Sequence, residues 1–471
     1  MRLGALTGSD EDSPVTGFAI DHRKVAPGTV FGAFPGTRFN GEDFIPAAVA
    51  AGAVAVVSRP EAVVEGAVQI AAEEPRREFA RLAARFFRPF PEVVVAVTGT
   101  NGKTSNVELC RQLWRMAGHP SASIGTLGVT TADDQVTTGL TTPDIVTFLS
   151  NMAGLERMGI THAAFEASSH GLAQYRTEGL PVRAAGFTNF SRDHLDYHLT
   201  MQAYFEAKMR LFEEVVEPGG TAVVWTDDAK SDEVVRRCRA RGLTVMTVGR
   251  RGETLKLVSR EASPLGQKLV VEADGRAHKV DLALIGAYQA ANALTAAGLV
   301  VATGGELAPT LANLSRVHPV RGRLERAVIT RAGAPIYVDY AHTPDAIESA
   351  IEALRPHARD RMITVFGAGG DRDVGKRAEM GAVAMRLSDL VIVTDDNPRS
   401  EDPAAIRRDI LEGAPGAREV AGRREAILAA VAVAGPGDII LLAGKGHEQG
   451  QIIGDMVLPF DDVSVARECA A

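Results

Sequence analysis

The stretch Val97-Thr-Gly-Thr-Asn-Gly-Lys-Thr104 decides the reading of this chain. Before it runs Glu92-Val-Val-Val-Ala-Val97, a continuous apolar segment of the kind buried on both faces of a parallel sheet. After it, Ser105-Asn-Val-Glu-Leu-Cys-Arg-Gln-Leu-Trp114 reads as a helix. Strand, glycine loop and helix in that order form the context of a phosphate loop. Gly99 and Gly102 let backbone N–H groups curl around phosphate oxygens. The helix start adds partial positive charge, Lys103 reaches the β/γ-phosphates, and Thr104 offers a hydroxyl to Mg²⁺. The spacing is shorter than the general pattern, because two residues rather than four separate Gly99 from Gly102-Lys103-Thr104. A chance glycine turn is the plain alternative, and the flanking strand and helix weigh against it.

Working outward, the upstream chain holds short β-like pieces at Thr29-Val-Phe-Gly-Ala-Phe34 and Ala53-Val-Ala-Val-Val57, with an alanine-rich helix near Pro46 to Ala51. Pro89-Phe-Pro91 marks a boundary. Downstream, α/β alternation continues, with a helix at Ile145–Met158 before a strand His162-Ala-Ala-Phe-Glu166. Short alternating strands over Glu253–Lys279 read as a hairpin excursion. After His318-Pro-Val-Arg-Gly-Arg323 comes a second doubly wound unit, with strands at Ile336–Asp339, Met362–Phe366, Leu390–Thr394 and Asp438–Leu442. The expected class is α/β in three domains: a small α/β unit over 1–88, a mainly parallel P-loop ATPase-type sheet over 89–317, and a Rossmann-like unit over 318–471.

Composition bounds the function. Of 471 residues, 45% are hydrophobic and 23% charged, which suits a globular protein with a large core. Three scattered cysteines, Cys110, Cys238 and Cys469, show no CxxC spacing, so neither a disulfide framework nor a zinc site is indicated and a reducing compartment is expected. The start MRLGALTGSDEDSPVTG has no apolar stretch of signal length, and no run is long enough for a spanning helix. A cytoplasmic protein without stable membrane insertion is therefore expected. The net charge of −8 and the lack of a basic-aromatic stripe exclude a natural nucleic-acid binder. An anionic substrate would need local positive groups.

Further motifs then accumulate in order: Thr141-Thr-Pro143, Glu166-Ala-Ser-Ser-His-Gly-Leu172, Asn189-Phe-Ser-Arg-Asp-His-Leu-Asp-Tyr-His198 and Gly286-Ala-Tyr-Gln-Ala-Ala-Asn292. Tyr340-Ala-His-Thr-Pro344, Gly369-Gly-Asp-Arg-Asp373, Asp396-Asn-Pro-Arg399 and Gly444-Lys-Gly-His-Glu448 follow. With TGTNGKT unchanged, the chain resembles the Mur ligase superfamily over essentially its whole length, and within it the branch that adds meso-diaminopimelate. Each motif alone is weak, and their ordered set is specific.

The resemblance implies a UDP-binding N-terminal domain, a central ATPase domain and a C-terminal domain that closes over the site. It implies that ATP phosphorylates the D-glutamate side-chain carboxylate of UDP-N-acetylmuramoyl-L-alanyl-D-glutamate, and that an amine then displaces phosphate. The enzyme is expected to act as a monomer. Gly99, Thr100, Asn101, Gly102, Lys103, Thr104, Ser105, Asn292, Arg323 and Asp339 match ATP-holding positions. Two Mg²⁺ sites are implied. Thr104 and Glu166 match the first, His194 and Lys208 the second, with Lys208 converted by CO₂ to a carbamate. Lys103, Glu166, His194 and Lys208 are the expected catalytic set. Read without the family, Lys208 is a solvated helix lysine and Glu166 an exposed strand end.

Thr141, Thr142, Ser168, Gln174 and Arg176 match positions for the peptide arm and pyrophosphate, although Thr141-Thr142 also reads as a helix cap. Asp21, His22 and Arg23, with Gly36–Gly41, match the uracil site, where the family more often has Ser at the position of His22. A bland exposed loop is the other reading of His22. Arg372, Asp396, Asn397, Arg399, Gly444 and Glu448 match diaminopimelate contacts. The physics agrees, because diaminopimelate is lysine with one more carboxylate. Arg399 can pair that carboxylate bidentately, and lysine would leave Arg399 unpaired. A lysine- or ornithine-adding relative, a folylpolyglutamate synthetase and a catalytically silent homologue remain as alternatives.

Overall fold

The computed structural model describes residues 1–36, 39–136, 140–263 and 266–471. Three main sheets follow one another along the chain. The first has four parallel strands, Gly17–Ala19, Thr29–Gly32, Ala53–Ser58 and Val68–Ala71, in sequence order. The Pro75–Phe87 helix then carries the chain to the second sheet. Phe79 of that helix packs edge-on against Phe18 and Phe34. One apolar cluster runs from Phe18 and Phe79 to Phe148 and Phe165, so the first sheet is welded to the second.

The second sheet has eleven strands, and the phosphate-loop strand Val93–Thr98 lies in its interior. Every residue of that strand is buried, as its unbroken apolar run requires. It pairs in parallel with Val182–Phe187 on one side and His162–Glu166 on the other. The helices Lys103–Met116 and Ala287–Ala302 cover one face, sharing a core with Val95, Val97 and Val223. Small residues let the second helix lie close: a Cβ on Gly298 would meet Val223 Cγ1 at 2.8 Å. At one edge the sheet turns antiparallel over Leu255–Ser263, Gly266–Ala273 and Arg276–Leu282, the region read as alternating strands.

The third sheet has six strands. Glu325–Ile329 runs antiparallel to Pro335–Asp339, and Ile439–Ala443, Met362–Phe366, Leu390–Val393 and Arg418–Glu419 continue in parallel. All four strands read from the sequence are present, Met362–Phe366 with the same bounds and the other three with ends moved by a residue. The last starts at Ile439 rather than Asp438, whose backbone N–H closes a turn on Gly435 O at 3.1 Å. The helix around Lys208 runs Met201–Arg210 and then widens into a π-helical turn over Leu211–Val215. Among the described residues, no helix is long and apolar enough to cross a membrane.

Candidate active site

The phosphate loop leaves the sheet at Thr98 and enters the helix at Lys103. Gly99 has φ +147° and Gly102 φ +86°. A Cβ on Gly99 would sit 1.9 Å from Thr188 Oγ1, and one on Gly102 would sit 2.4 Å from Asn292 Oδ1. Both positions therefore exclude a side chain on conformation and on space. Lys103 is drawn back onto its own loop, donating to the Gly99 and Thr100 carbonyls at 2.9 and 2.8 Å. Burial lowers its pKa, and Glu166 and Asp193 oppose that shift.

Glu166 ends its strand with only 1% of its surface exposed, so the exposed strand-end reading fails. Its Oε1 accepts from Thr126 N at 2.7 Å. At the neighbouring Gly125 a Cβ would lie 2.1 Å from Glu166 Oε1, so a side chain there would displace the carboxylate. Lys208 is likewise 1% exposed, which overturns the solvated-lysine reading. Helical spacing puts Tyr204 and Lys208 on one inward face, and the ammonium sits 4.2 Å over the Tyr204 ring. Its Nζ donates to the Gly99 carbonyl at 2.8 Å, the same oxygen that Lys103 uses. Burial first, and Lys103 second, push its pKa well below the usual lysine range.

His194 takes a left-handed conformation, φ +55°, that turns its ring toward the loop. Burial pushes its pKa down to about 3, so the ring is neutral and keeps a lone pair. The adjacent Asp193 was not singled out in the sequence. Burial alone would raise its pKa, but His194, His342 and Lys376 outweigh that and hold it below the usual carboxylate range. Lys376 Nζ and His342 Nε2 lie 3.7 and 3.9 Å from it, both from the third-sheet unit. Arg192 Nε pairs with Asp373 at 3.3 Å across the same gap.

Arg323 crosses that gap in the other sense, with NH2 donating to Thr104 Oγ1 at 3.0 Å and its guanidinium 4.5 Å over the Tyr340 ring. Asp339 accepts from Leu324 N at 2.7 Å and Tyr288 OH at 3.2 Å. Burial raises its pKa against the pull of Arg323. Asn292 accepts from Asn106 Nδ2 at 3.0 Å beside Gly102. The result is one cavity of about 590 Å³. It is lined by Thr100–Ser105, Thr141, Glu166, Ser168, His194, Lys208, Asn292, Arg323 and Asp339.

Other expected residues gather elsewhere. Thr142 Oγ1 donates to the Glu166 carbonyl at 2.8 Å and meets Ser168 Oγ at 2.9 Å. Arg176 donates to Thr142 O at 2.8 Å and to Gln174 Oε1 at 2.7 Å. These four residues form one polar group beside the cavity. The threonines do not cap the following helix. Asp144 does, accepting from Val146 and Thr147 N at 3.0 and 3.1 Å.

In the third-sheet unit, a Cβ on Gly369 would meet Arg399 NH1 at 2.8 Å and Arg372 Cγ at 3.9 Å, so both arginines flank one backbone turn. Arg399 has φ +52° and donates to Gly370 O at 2.7 Å. A hairpin, Gly450–Ile453 with Met456–Pro459, braces it, with Arg399 N donating to Ile452 O at 3.1 Å. The arginine is therefore held at both its backbone and its guanidinium. Asn397 donates to Glu448 Oε2 at 2.8 Å, and a Cβ on Gly444 would lie 2.5 Å from Asp396 Oδ2. This cluster stands outside the lining of the 590 Å³ cavity. On the first sheet, Asp21 chelates the Arg23 guanidinium, which takes its pKa down to about 2. His22 is no bland loop residue: its ring stacks on Phe44 at 4.4 Å and 3°. Thr37 and Arg38 of the Gly36–Gly41 segment lie outside the described residues.

Comparison with known proteins accounts for all three sheets. The family model "Mur ligase family, catalytic domain" matches residues 14–87, "Mur ligase middle domain" residues 97–300, and "Mur ligase, glutamate ligase domain" residues 322–446. A Zymomonas mobilis protein named UDP-N-acetylmuramoyl-L-alanyl-D-glutamate–2,6-diaminopimelate ligase is 59% identical, covering 98% of this chain and 96% of its own. A Caulobacter vibrioides protein of the same name is 50% identical over 96% and 95%. A solved structure with that name superposes at a TM-score of 0.73, with 32% identity, over 100% of this chain and 98% of the other. Mycobacterium tuberculosis folylpolyglutamate synthase complexed with ADP shares the fold at a TM-score of 0.66 and 20% identity, covering 79% and 91%. Matched in order along its three sheets, and over nearly its whole length by such relatives, the chain belongs to the Mur ligase family, in its diaminopimelate-adding branch.

Proposed function

We propose that the chain joins the amine of meso-diaminopimelate to the D-glutamate side-chain carboxylate of UDP-N-acetylmuramoyl-L-alanyl-D-glutamate, cleaving ATP to ADP and phosphate. The observation that carries this reading is the cavity where the phosphate loop, Glu166, His194 and Lys208 meet Arg323 and Asp339 from the third-sheet unit. A carboxylate is a poor electrophile. Phosphoryl transfer makes it an acyl phosphate, and the amine then expels phosphate, so the protein's task is positioning and charge neutralisation.

Residues 1–88 would hold the uridine end through Asp21–Arg23, residues 89–317 the nucleotide, and residues 318–471 the amino acid. The loop N–H groups and Lys103 would cradle the triphosphate. Asn292 and Asp339 would hold the nucleoside, with Arg323 on phosphate. Thr142, Ser168, Gln174 and Arg176, already bonded to one another, would take the peptide arm and pyrophosphate.

The donor set fits Mg²⁺. Thr104 and Glu166 are hard oxygen ligands, and the neutral His194 ring has a free lone pair. A metal bound there neutralises the charge of the transferring phosphoryl group. Lys208 fits only after modification. An ammonium cannot ligate a cation, and here two ammonium groups share the Gly99 carbonyl. Burial favours the neutral amine, the form that reacts with CO₂, and the carbamate replaces a crowded positive charge with a negative ligand.

The reading is checked by phosphate release with ATP, Mg²⁺ and the UDP-dipeptide, with meso-diaminopimelate or L-lysine in parallel. Tripeptide product with meso-diaminopimelate alone is expected. Product with lysine alone would keep the ligase and remove the specificity, and no product with either would remove both.

A further inference from the structure

Lys445 is the most secluded ammonium of the third-sheet unit, with none of its surface exposed. It lies between the Asp396–Arg399 turn and Glu448, and sequence reading gave it no role. Its Nζ donates to Asn397 Oδ1 at 3.0 Å and to Glu448 Oε2 at 3.1 Å. The backbone N–H of Ile452 donates to the same Asn397 oxygen at 3.0 Å. Both partners of that oxygen are obligate donors. Rotating the amide by half a turn would set its NH₂ against an ammonium and a backbone N–H at once. Asn397 is only 3% exposed, so water cannot relieve that clash.

The amide is therefore locked with Nδ2 toward the Glu448 carboxylate, at 2.8 Å. An amide nitrogen carries two hydrogens, and one of them goes to Glu448. The buried ammonium also balances Glu448, which retains 29% side-chain exposure. We infer that Lys445 is a positioning residue for selection of the amino acid: together with the Ile452 N–H it fixes the Asn397 amide so that the remaining N–H, and not the C=O, is left for a ligand. Such a donor pairs with the far carboxylate of diaminopimelate and is left unpaired by lysine. The inference rests on the diaminopimelate reading, since it explains how the far carboxylate of that substrate, absent from lysine, is read.

Two variants test it. Lys445→Met keeps the length and removes the charge, leaving the amide oxygen held by the Ile452 N–H alone. Asn397→Asp keeps the shape and both accepted hydrogen bonds but turns the donor into an acceptor. Steady-state kinetics are measured for meso-diaminopimelate and L-lysine, with ATP varied separately and thermal melting run beside them. For Lys445→Met the KM for meso-diaminopimelate should rise about tenfold or more, the scale of one oriented hydrogen bond to a charged group, with the KM for ATP unchanged. For Asn397→Asp the ratio of kcat/KM for meso-diaminopimelate over lysine should fall by at least as much. A merely structural lysine would lower the melting temperature and leave both the KM and the ratio alone, and that result overturns the inference while the ligase reading stands. If Lys445→Met does not fold, Asn397→Asp decides, and an unchanged ratio there overturns it. A wild-type enzyme that makes no product with meso-diaminopimelate overturns reading and inference together.

Discussion

At the scale of single residues, the site is set by what cannot be larger and by what cannot stay charged. Gly125→Ala would push a methyl carbon into Glu166 Oε1, which it would approach to 2.1 Å. The expected outcome is a loss of phosphate release of about 10²-fold or more, because misplacing a reacting group by an ångström costs that much. The fold should survive, since the strain falls on one side chain. Melting temperature and phosphate release measured together check this, and an active Gly125→Ala enzyme would remove Glu166 from the site. For Lys208, intact-mass measurement in bicarbonate should show the mass of one CO₂ added and then lost on acidification. Lys208→Ala should lack that adduct and lose about 10²-fold or more in rate. Residue type and local pattern placed neither residue, and only the family resemblance of the motifs around them pointed to a role. Glutamate and lysine are normally exposed, and only the way the carboxyl end of an interior strand and the helix face turn them inward makes them 1% exposed.

At the scale of elements, unbroken apolar runs were the most legible feature. Val93–Thr98 and Met362–Phe366 are buried at every residue, so their composition announces central parallel strands. The Ile145–Arg157 helix was equally plain, but its cap was not. Threonine and aspartate are both good caps, and the choice of Asp144 follows from Thr142 being engaged by Glu166 and Ser168. The contacts of Asp193 with His342 and Lys376 join positions far apart in sequence, and no local signal reports them. Close packing of the Ala287–Ala302 helix gives a prediction of its own. Gly298→Val should destabilise by about 1–3 kcal/mol through overpacking against Val223 and Val248. Urea denaturation measures it, and an unchanged midpoint would show that the helix can shift on the sheet.

At the scale of the whole molecule, nucleotide and domain closure share the Arg323–Thr104 hydrogen bond, so ATP and the amino-acid unit should sense one another. The same closed packing buries histidines in neutral form, and this gives the molecule a pH dependence with a definite sign. Burial takes the pKa of His162 and His342 down to about 4 and that of His447 to about 3. In the unfolded chain each titrates near about 6.5. Above that pH both states are neutral and nothing is lost. Below it the unfolded chain binds protons that the folded protein refuses, so stability falls as pH drops from about 6.5 toward 4. Paired carboxylates such as Asp389 add their loss lower down, as their own unfolded range is entered. A melting temperature that falls by several degrees between about pH 6.5 and 4.5 is therefore a histidine signal. His162 stacks on His119 at 4.2 Å and meets Trp114 edge-on at 5.2 Å, at the start of an interior strand of the central sheet and outside the lining of the 590 Å³ cavity. His162→Gln should flatten part of that slope while phosphate release at neutral pH persists. A slope unchanged in this variant would assign the acid loss to the other buried histidines, and a flat wild-type profile would show that the folded protein takes up these protons by opening locally.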